Sequence, residues 1–144
     1  MVPSKAVFFR EVQEAFADVV SELALNGPVE SELVIPVSKY AEGSVIYEIS
    51  LDAREGSVNT SVELVVGDAS LICDVEDVAI AVGTLESRGK ISFSARNLKQ
   101  LKKSLIDQVG CVPAVHSFMM TPEGENIMRA AGAREWSNLP DSEG

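Results

Sequence analysis

The first 25 residues place apolar side chains three or four positions apart, which is typical of an amphipathic helix. On a helical wheel the apolar residues share one side: Phe8, Val12, Ala15, Phe16, Val19 and Leu23. Ser4 is a favourable residue for the N-cap. The pattern therefore predicts a helix over about residues 4–25, which the sequence Asn26-Gly27-Pro28 ends.

The pattern then changes to alternation of apolar and polar residues, which is typical of half-buried strands. Residues 44–52 and 58–66 both alternate, and the polar segment 53–57 separates them. These features predict an antiparallel hairpin. A short apolar run at residues 32–37 predicts one more strand, with Pro36 indicating a strand end or a sheet edge.

Residues 69–86 fit two patterns, because their apolar positions have both helical and alternating spacing. Their β-branched content favours two short strands, at about residues 70–75 and 78–84, over a helix. Residues 90–95 predict another strand.

The last third of the chain alternates between predicted helices and strands. Residues 97–109 predict a helix that Gly110 ends, and residues 112–119 predict a well-buried strand. The segment that begins at Thr121-Pro122 predicts a short helix, and residues 134–136 predict a last strand.

Together these elements predict a single α+β domain over residues 1–136. We expect an antiparallel-rich sheet of five or six strands, packed by the N-terminal helix and two helices in the C-terminal half. The length of 144 residues suits one domain of this kind. Residues 137–144 are predicted to form a flexible polar tail.

Composition narrows the class of protein. The chain is 46% apolar and 24% charged, which is typical of a folded domain. No apolar stretch approaches the ~20 residues that cross a bilayer, and charged residues interrupt the N-terminal segment where a signal peptide would be apolar. We therefore expect a cytoplasmic protein with no membrane partner. Cys73 and Cys111 form no metal-binding motif and are predicted to be buried free thiols.

Charge is distributed unevenly along this acidic chain. The formal net charge is −10, and residues 27–87 contain twelve carboxylates against two cations, Lys39 and Arg54. Residues 87–104 contain six cations and no carboxylate. An acidic surface repels nucleic acid and attracts basic proteins, so we expect no nucleic-acid partner.

Asp68, Asp74, Glu76 and Asp77 are the predicted partner-binding residues, because the last three form the densest acidic patch. Two other interpretations of this patch are a solvated turn and a metal site. The patch lacks the glycine and the downstream glutamate of an EF-hand, so we predict no metal.

The six cations are interpreted mainly as balancing the carboxylates of the preceding acidic segment, residues 27–87, within the same molecule. Arg96, Asn97 and Lys99 differ from the rest, because they lie at the start of a predicted helix, where exposed N–H groups attract anions. They form a candidate anion-binding site.

Catalytic signals are sparse. His116 is the single histidine and is interpreted as a structural residue between apolar neighbours. The chain contains neither a Walker loop nor a GxGxxG motif, so no cofactor and no catalytic residue is predicted.

Residues 112–136 resemble the C-terminal part of N-acetyltransferases of the GNAT type, on the predicted order strand, helix, glycine, strand. The segment includes Thr121-Pro122-Glu123-Gly124 and Ala130-Ala131-Gly132-Ala133. The resemblance implies an acyltransferase that binds a cofactor pyrophosphate before its second helix. The place expected for that loop reads Arg96-Asn97-Leu98-Lys99-Gln100 and contains no glycine.

These observations favour a small acidic, non-enzymatic binding protein. The expected class is an immunity-type or antitoxin-type inhibitor whose acidic β region engages a basic partner, such as a toxin-like protein or a secreted effector. The alternative is a GNAT-like acyltransferase or another enzyme that binds a small anion at the Arg96–Lys99 helix start. A homodimer in which the six cations of residues 87–104, the basic block, meet the acidic sheet is a further hypothesis.

Overall fold

The structure is a computed structural model that describes residues 1–137. Over this range the chain forms one antiparallel sheet of six strands in sequence order, and five helices. The predicted α+β fold class is confirmed. In chain order the elements are α1 Lys5–Leu23, β1 Asn26–Ser31, β2 Val37–Glu42, β3 Val45–Asp52, β4 Ser57–Val66, β5 Ala69–Asp74, α2 Val75–Ala81, α3 Leu98–Val109, α4 Val112–Met119, α5 Gly124–Ala130 and β6 Arg134–Ser137.

Helix α1 follows its apolar pattern. The Ser4 hydroxyl accepts a hydrogen bond from the Val7 amide at 3.3 Å, as its N-cap position predicts. Phe8, Val12 and Phe16 are fully buried. The ring of Phe16 stacks on Tyr40 of β2 with 5.2 Å between ring centroids, so α1 packs against the sheet.

The β3–β4 hairpin lies at the centre of the sheet, and its alternation separates two faces. Ile49 pairs with Thr60, and Leu51 pairs with Val58. All four side chains are buried, whereas the residues between them are half-buried. The helices cover the buried face, and this is where the core of the domain lies.

The strand predicted at residues 32–37 is wrong, because this segment mostly connects β1 to β2. Strand β1 is exposed along its whole length and therefore has no hydrophobic pattern. Strand β2 buries Ser38 as well as Tyr40, and the polar serine conceals the alternation.

The first strand predicted within residues 69–86 is confirmed as β5, but the second is wrong, because residues 75–81 form α2. Val75, Val78 and Ala79 are buried with helical spacing. Glu76 and Asp77 occupy the first turn, where carboxylates favour a helix.

The predicted strand at residues 112–119 is also wrong, because the segment forms α4. Val112, Val115 and Met119 are buried at helical spacing, and Pro113 is tolerated in the first helical turn but not within a central strand. The order of elements here is therefore helix, helix, glycine, strand. The strand on which the acetyltransferase resemblance rested does not exist.

Residues 90–95 do not form the regular strand that was predicted. They pair briefly with the start of β4, through a bridge between Ser57 and Ser94. The Val58 amide donates to the Phe93 carbonyl, and the Ala95 amide donates to the Gly56 carbonyl, both at 2.8 Å. This pairing fastens the segment before α3 to the β3–β4 turn.

The remaining predictions at the C-terminal end agree with the structure. Helices α3 and α5 and strand β6 lie where the pattern placed them. Ser137 belongs to β6, and the rest of the predicted tail, residues 138–144, lies outside the described residues. Among residues 1–137, none of the helices has the length and apolar composition that a bilayer crossing requires.

Candidate partner-binding face

The side chains of β2–β6 that point away from the helices form what we call the outer sheet face. Every second residue points to this face, as the ladder geometry requires. The face combines apolar and charged side chains. Its charged members are Lys39, Glu48, Asp52, Glu63, Asp74 and Arg134.

Glu63 lies near the middle of the outer sheet face. Its direct neighbours across the strands are Ile46 and Ile72, and all three side chains are half-buried. Within residues 1–137, no cation lies within ion-pair distance of Glu63. The face therefore offers a carboxylate without a cation, bordered by apolar surface.

Trp136 extends the apolar part of this face at the β6 edge. It pairs with Ser70 and is 55% exposed. Large aromatic side chains with this exposure are enriched where proteins meet partners. Glu48, by contrast, is partly neutralised, because the Lys39 ammonium lies 3.5 Å from its carboxylate.

A polar cleft of about 250 Å³ opens at the end of β5. Asp74 and Asp77 line it together with Ser61 and Arg134. Asp74 is exposed and accepts a hydrogen bond from the side-chain Nδ2 of Asn59 at 2.9 Å. Two of the predicted partner-binding residues thus share one cleft at the border of the outer sheet face.

Cys73 also lines this cleft, but its thiol is not a reactive group. Burial, reinforced by the nearby Asp77 carboxylate, raises the pKa of Cys73 to about 11. The thiol is therefore protonated near neutral pH and is a poor nucleophile. Cys111 is buried too, and burial raises the pKa of its thiol. Both cysteines are free, as predicted.

Glu76, another predicted partner-binding residue, is turned inward and is only 5% exposed. It accepts hydrogen bonds from the Arg88 guanidinium at 3.3 Å and from the Gly89 amide at 3.1 Å. Asp77 also pairs with Arg88. The structure uses these two carboxylates to hold the loop after α2.

Asp68, the fourth predicted residue, is exposed in the turn between β4 and β5. Asp74 lies at the other end of β5, about 20 Å away for a six-residue strand. The structure therefore brings Asp74 and Asp77 together but leaves Asp68 apart from them.

Half of the basic block forms ion pairs inside the molecule. Arg88 pairs with Glu76 and Asp77, while Lys102 pairs with Glu11 at 3.8 Å and Lys103 pairs with Asp107 at 2.9 Å. Of these three cations, Arg88 pairs with the preceding acidic segment, as predicted. The prediction is wrong for Lys102 and Lys103, which pair with helix carboxylates outside residues 27–87.

The predicted anion-binding residues have different roles. The Asn97 side chain accepts a hydrogen bond from the Gln100 amide at 2.9 Å and caps α3. Lys99 is exposed in the first turn of that helix. Arg96 instead lines a cleft of about 330 Å³ together with Arg54, a residue that the sequence pattern did not single out.

His116 is buried, and it lies on helix α4 rather than on the predicted strand, where it joins two distant residues. Its Nδ1 atom lies 2.7 Å from the Tyr47 hydroxyl, and its Nε2 atom lies 2.5 Å from the Glu42 carboxylate. An ionised carboxylate only accepts, so Nε2 carries hydrogen and Nδ1 accepts from Tyr47 in the neutral ring.

This chain of three polar groups resembles a proton relay, but no substrate can reach its inner end. Tyr47 is fully buried, and burial raises the pKa of its phenol strongly, with the Glu42 charge adding to the effect. The relay therefore offers no activated nucleophile at the surface. Its chemistry suits a structural link between α4 and the β2–β3 hairpin.

Comparisons with known proteins found no match. No protein-family model matches the chain, and neither a curated protein nor a solved structure matches it.

Proposed function

We propose that this chain is a non-enzymatic binding protein that engages a basic protein partner through the outer sheet face and the cleft beside it. The observation that carries the proposal is a sheet face that no helix of residues 1–137 covers, and that combines Glu63 and Asp74 with exposed or half-buried apolar side chains. Such a face can bury apolar area while its carboxylates meet cations of the partner.

Charge supports a basic partner. The chain has a formal net charge of −10, and its acidic segment, residues 27–87, contributes β1–β5. A field of this sign accelerates encounters with basic proteins and slows encounters with nucleic acid, most strongly at low salt.

The proposed class is an immunity-type or antitoxin-type inhibitor of a toxin-like or secreted basic protein. This class consists of small acidic single domains that act by occupying a partner's surface, and the proposal rests on that analogy. The buried state of Tyr47 and the raised pKa values of both thiols support a binding role over catalysis by these groups.

The test compares charge reversals on two faces of the molecule. Tagged wild-type protein, the Glu63→Lys/Asp74→Lys variant and the Asp18→Lys/Glu22→Lys variant serve as baits in an extract of the source cell. Asp18 and Glu22 are exposed on α1, which covers the opposite face of the sheet. Each variant replaces two carboxylates by two cations, so the change in net charge is the same. Retained proteins are identified by mass spectrometry. The association rate of each variant with the identified partner is then measured at several salt concentrations.

We expect the outer-face variant to lose the basic partner, with an association rate at low salt reduced about tenfold. The α1 variant should retain the partner. Equal retention by the two variants, or capture of acidic partners alone, would contradict the proposal. Glu76 and Asp77 are left unchanged, because reversing them breaks their pairs with Arg88.

A further inference from the structure

We propose that the cleft between the β3–β4 turn and the start of α3 binds a small phosphate-type anion through Arg54 and Arg96. Both arginines line this cleft of about 330 Å³. Glu63 lies six residues along β4 from Ser57, about 20 Å from this end, and Asp74 pairs with Ser61, four residues or about 13 Å from it. Neither of these proposed partner-binding residues lines the cleft.

The backbone on both sides of Arg96 is fixed by hydrogen bonds. The Ala95 amide donates to the Gly56 carbonyl at 2.8 Å. The Arg96 amide donates to the Gln100 side chain at 3.0 Å. These bonds hold Arg96 between the β3–β4 turn and α3, and they bring it into the cleft that Arg54 lines.

Gly56 leaves room for the Arg96 side chain. The glycine has a φ of +63°, and a Cβ atom added there would lie 2.7 Å from Arg96 Cγ. The aliphatic part of Arg96 therefore lies directly over the glycine backbone. A larger residue at this position would displace the side chain from its place in the cleft.

Neither arginine is neutralised inside the described part of the chain, although the protein as a whole is acidic. Within residues 1–137, no carboxylate lies within ion-pair distance of Arg54 or Arg96. The Asp52 carboxylate accepts from the amides of Arg54 and Glu55 at 3.0 and 3.1 Å. It is thus engaged with the backbone of the turn.

An anion between the two guanidinium groups would remove their mutual repulsion and accept hydrogen bonds from both. Two guanidinium groups present more donors than one carboxylate can accept, whereas the oxygens of a phosphate suit them. Met1 and Glu55 also line the cleft, and the Glu55 carboxylate offsets one of the two guanidinium charges.

The test is calorimetric titration of the full chain with inorganic pyrophosphate and with inorganic phosphate. We expect saturable binding of pyrophosphate, weakened roughly tenfold or more in Arg54→Gln and in Arg96→Gln. Arg96→Lys keeps the charge but loses the planar donor set, so its affinity should lie between those of wild type and Arg96→Gln.

Arg129→Gln is the matched control, because it makes the same charge change on α5, near the far end of β4. It should leave the pyrophosphate affinity unchanged. Absence of saturable binding up to about 10 mM pyrophosphate would overturn the proposal. If Arg129→Gln weakened pyrophosphate binding equally, the proposal would be overturned as well, because the affinity would then depend only on the net charge of the protein.

Acetyl-CoA, added as a competitor, distinguishes the source of the anion. Displacement of pyrophosphate by acetyl-CoA would support the site and assign it to a cofactor of the coenzyme A type. Pyrophosphate binding that acetyl-CoA does not affect would support the site and assign it to a smaller anion. The Glu63→Lys/Asp74→Lys variant should bind pyrophosphate at least as well as wild type, so the two proposals can fail independently.

Discussion

At the scale of single residues, the His116 side chain joins three elements, α4, β2 and β3, through hydrogen bonds. It lies on α4 and contacts the ends of β2 and β3 through Glu42 and Tyr47. A buried polar group that loses its partner costs free energy, because it cannot return to water. The stability of this corner of the domain should therefore depend on the imidazole.

We expect His116→Ala to lower the free energy of unfolding by about 2–3 kcal/mol, because it leaves the Tyr47 hydroxyl buried without its partner and opens a cavity. Urea denaturation measures the change. Ser117→Ala alters an exposed neighbour on the same helix and should change stability by less than about 0.5 kcal/mol. If both variants were equally stable, the imidazole would not be the link described here.

At the scale of elements, Gln108 joins α3 to the start of β4 and to the segment before the helix. Its side-chain oxygen accepts from the Thr60 hydroxyl at 2.8 Å. Its side-chain nitrogen donates to the carbonyls of Val58 and Ser92, both at 3.0 Å. The Gln108 side chain is fully buried. Its hydrogen bonds hold residues 90–95 beside β4, although these residues do not form a regular strand.

Gln108→Leu keeps a similar volume but leaves the Thr60 hydroxyl and the carbonyls of Val58 and Ser92 without this partner. We expect a loss of about 3 kcal/mol in the free energy of unfolding, with faster amide hydrogen exchange in residues 91–95 than in β3. The exposed neighbour Ile106→Gln on the same helix is the control and should unfold like the wild type. Uniform exchange changes across the sheet would argue against a local role.

At the same scale, helices α2 and α4 were predicted as strands for a common reason. Residues 75–81 and 112–119 are short and rich in valine, so their apolar spacing fits a strand nearly as well as a helix. The N-terminal acids of α2 and Pro113 of α4 were local signals for a helix. The choice between the two structures depended on which residues the rest of the fold buries.

At the scale of the whole molecule, several buried groups hold protons that the unfolded chain would release at alkaline pH. Burial raises the pKa of Cys73 from its ordinary value of 9.0 to about 11 and that of Tyr40 from 10.0 to about 12. Above pH 9 the unfolded chain binds fewer protons than the folded protein. Rising pH therefore favours unfolding, whereas below pH 9 these groups contribute no pH dependence.

We expect the free energy of unfolding to fall by about 3 kcal/mol between pH 9 and pH 11, as followed by urea denaturation at a series of pH values. Cys73→Ala removes one of the groups, so its stability should decline less over the same interval. A stability that stays constant up to pH 11 would show that the thiol ionises equally in both states.

The charge of the whole molecule could be predicted from composition, but its placement could not. The twelve carboxylates of residues 27–87 are divided by the fold among several environments. Glu76 is buried beside Arg88, whereas Glu63 points from the middle of the outer sheet face. Of the predicted partner-binding residues, Asp74 and Asp77 meet in one cleft, because the end of β5 leads directly into α2.

The sequence by itself determined the features that depend on local periodicity: helices α1 and α3, the β3–β4 hairpin, the α+β class and the acidic balance. Only the tertiary structure decided which distant side chains come together: Arg54 and Arg96 line one cleft, and His116 contacts Glu42 and Tyr47. The physical reason is that periodicity shows which side of an element is buried. The partner on that side depends on packing between elements far apart in the chain.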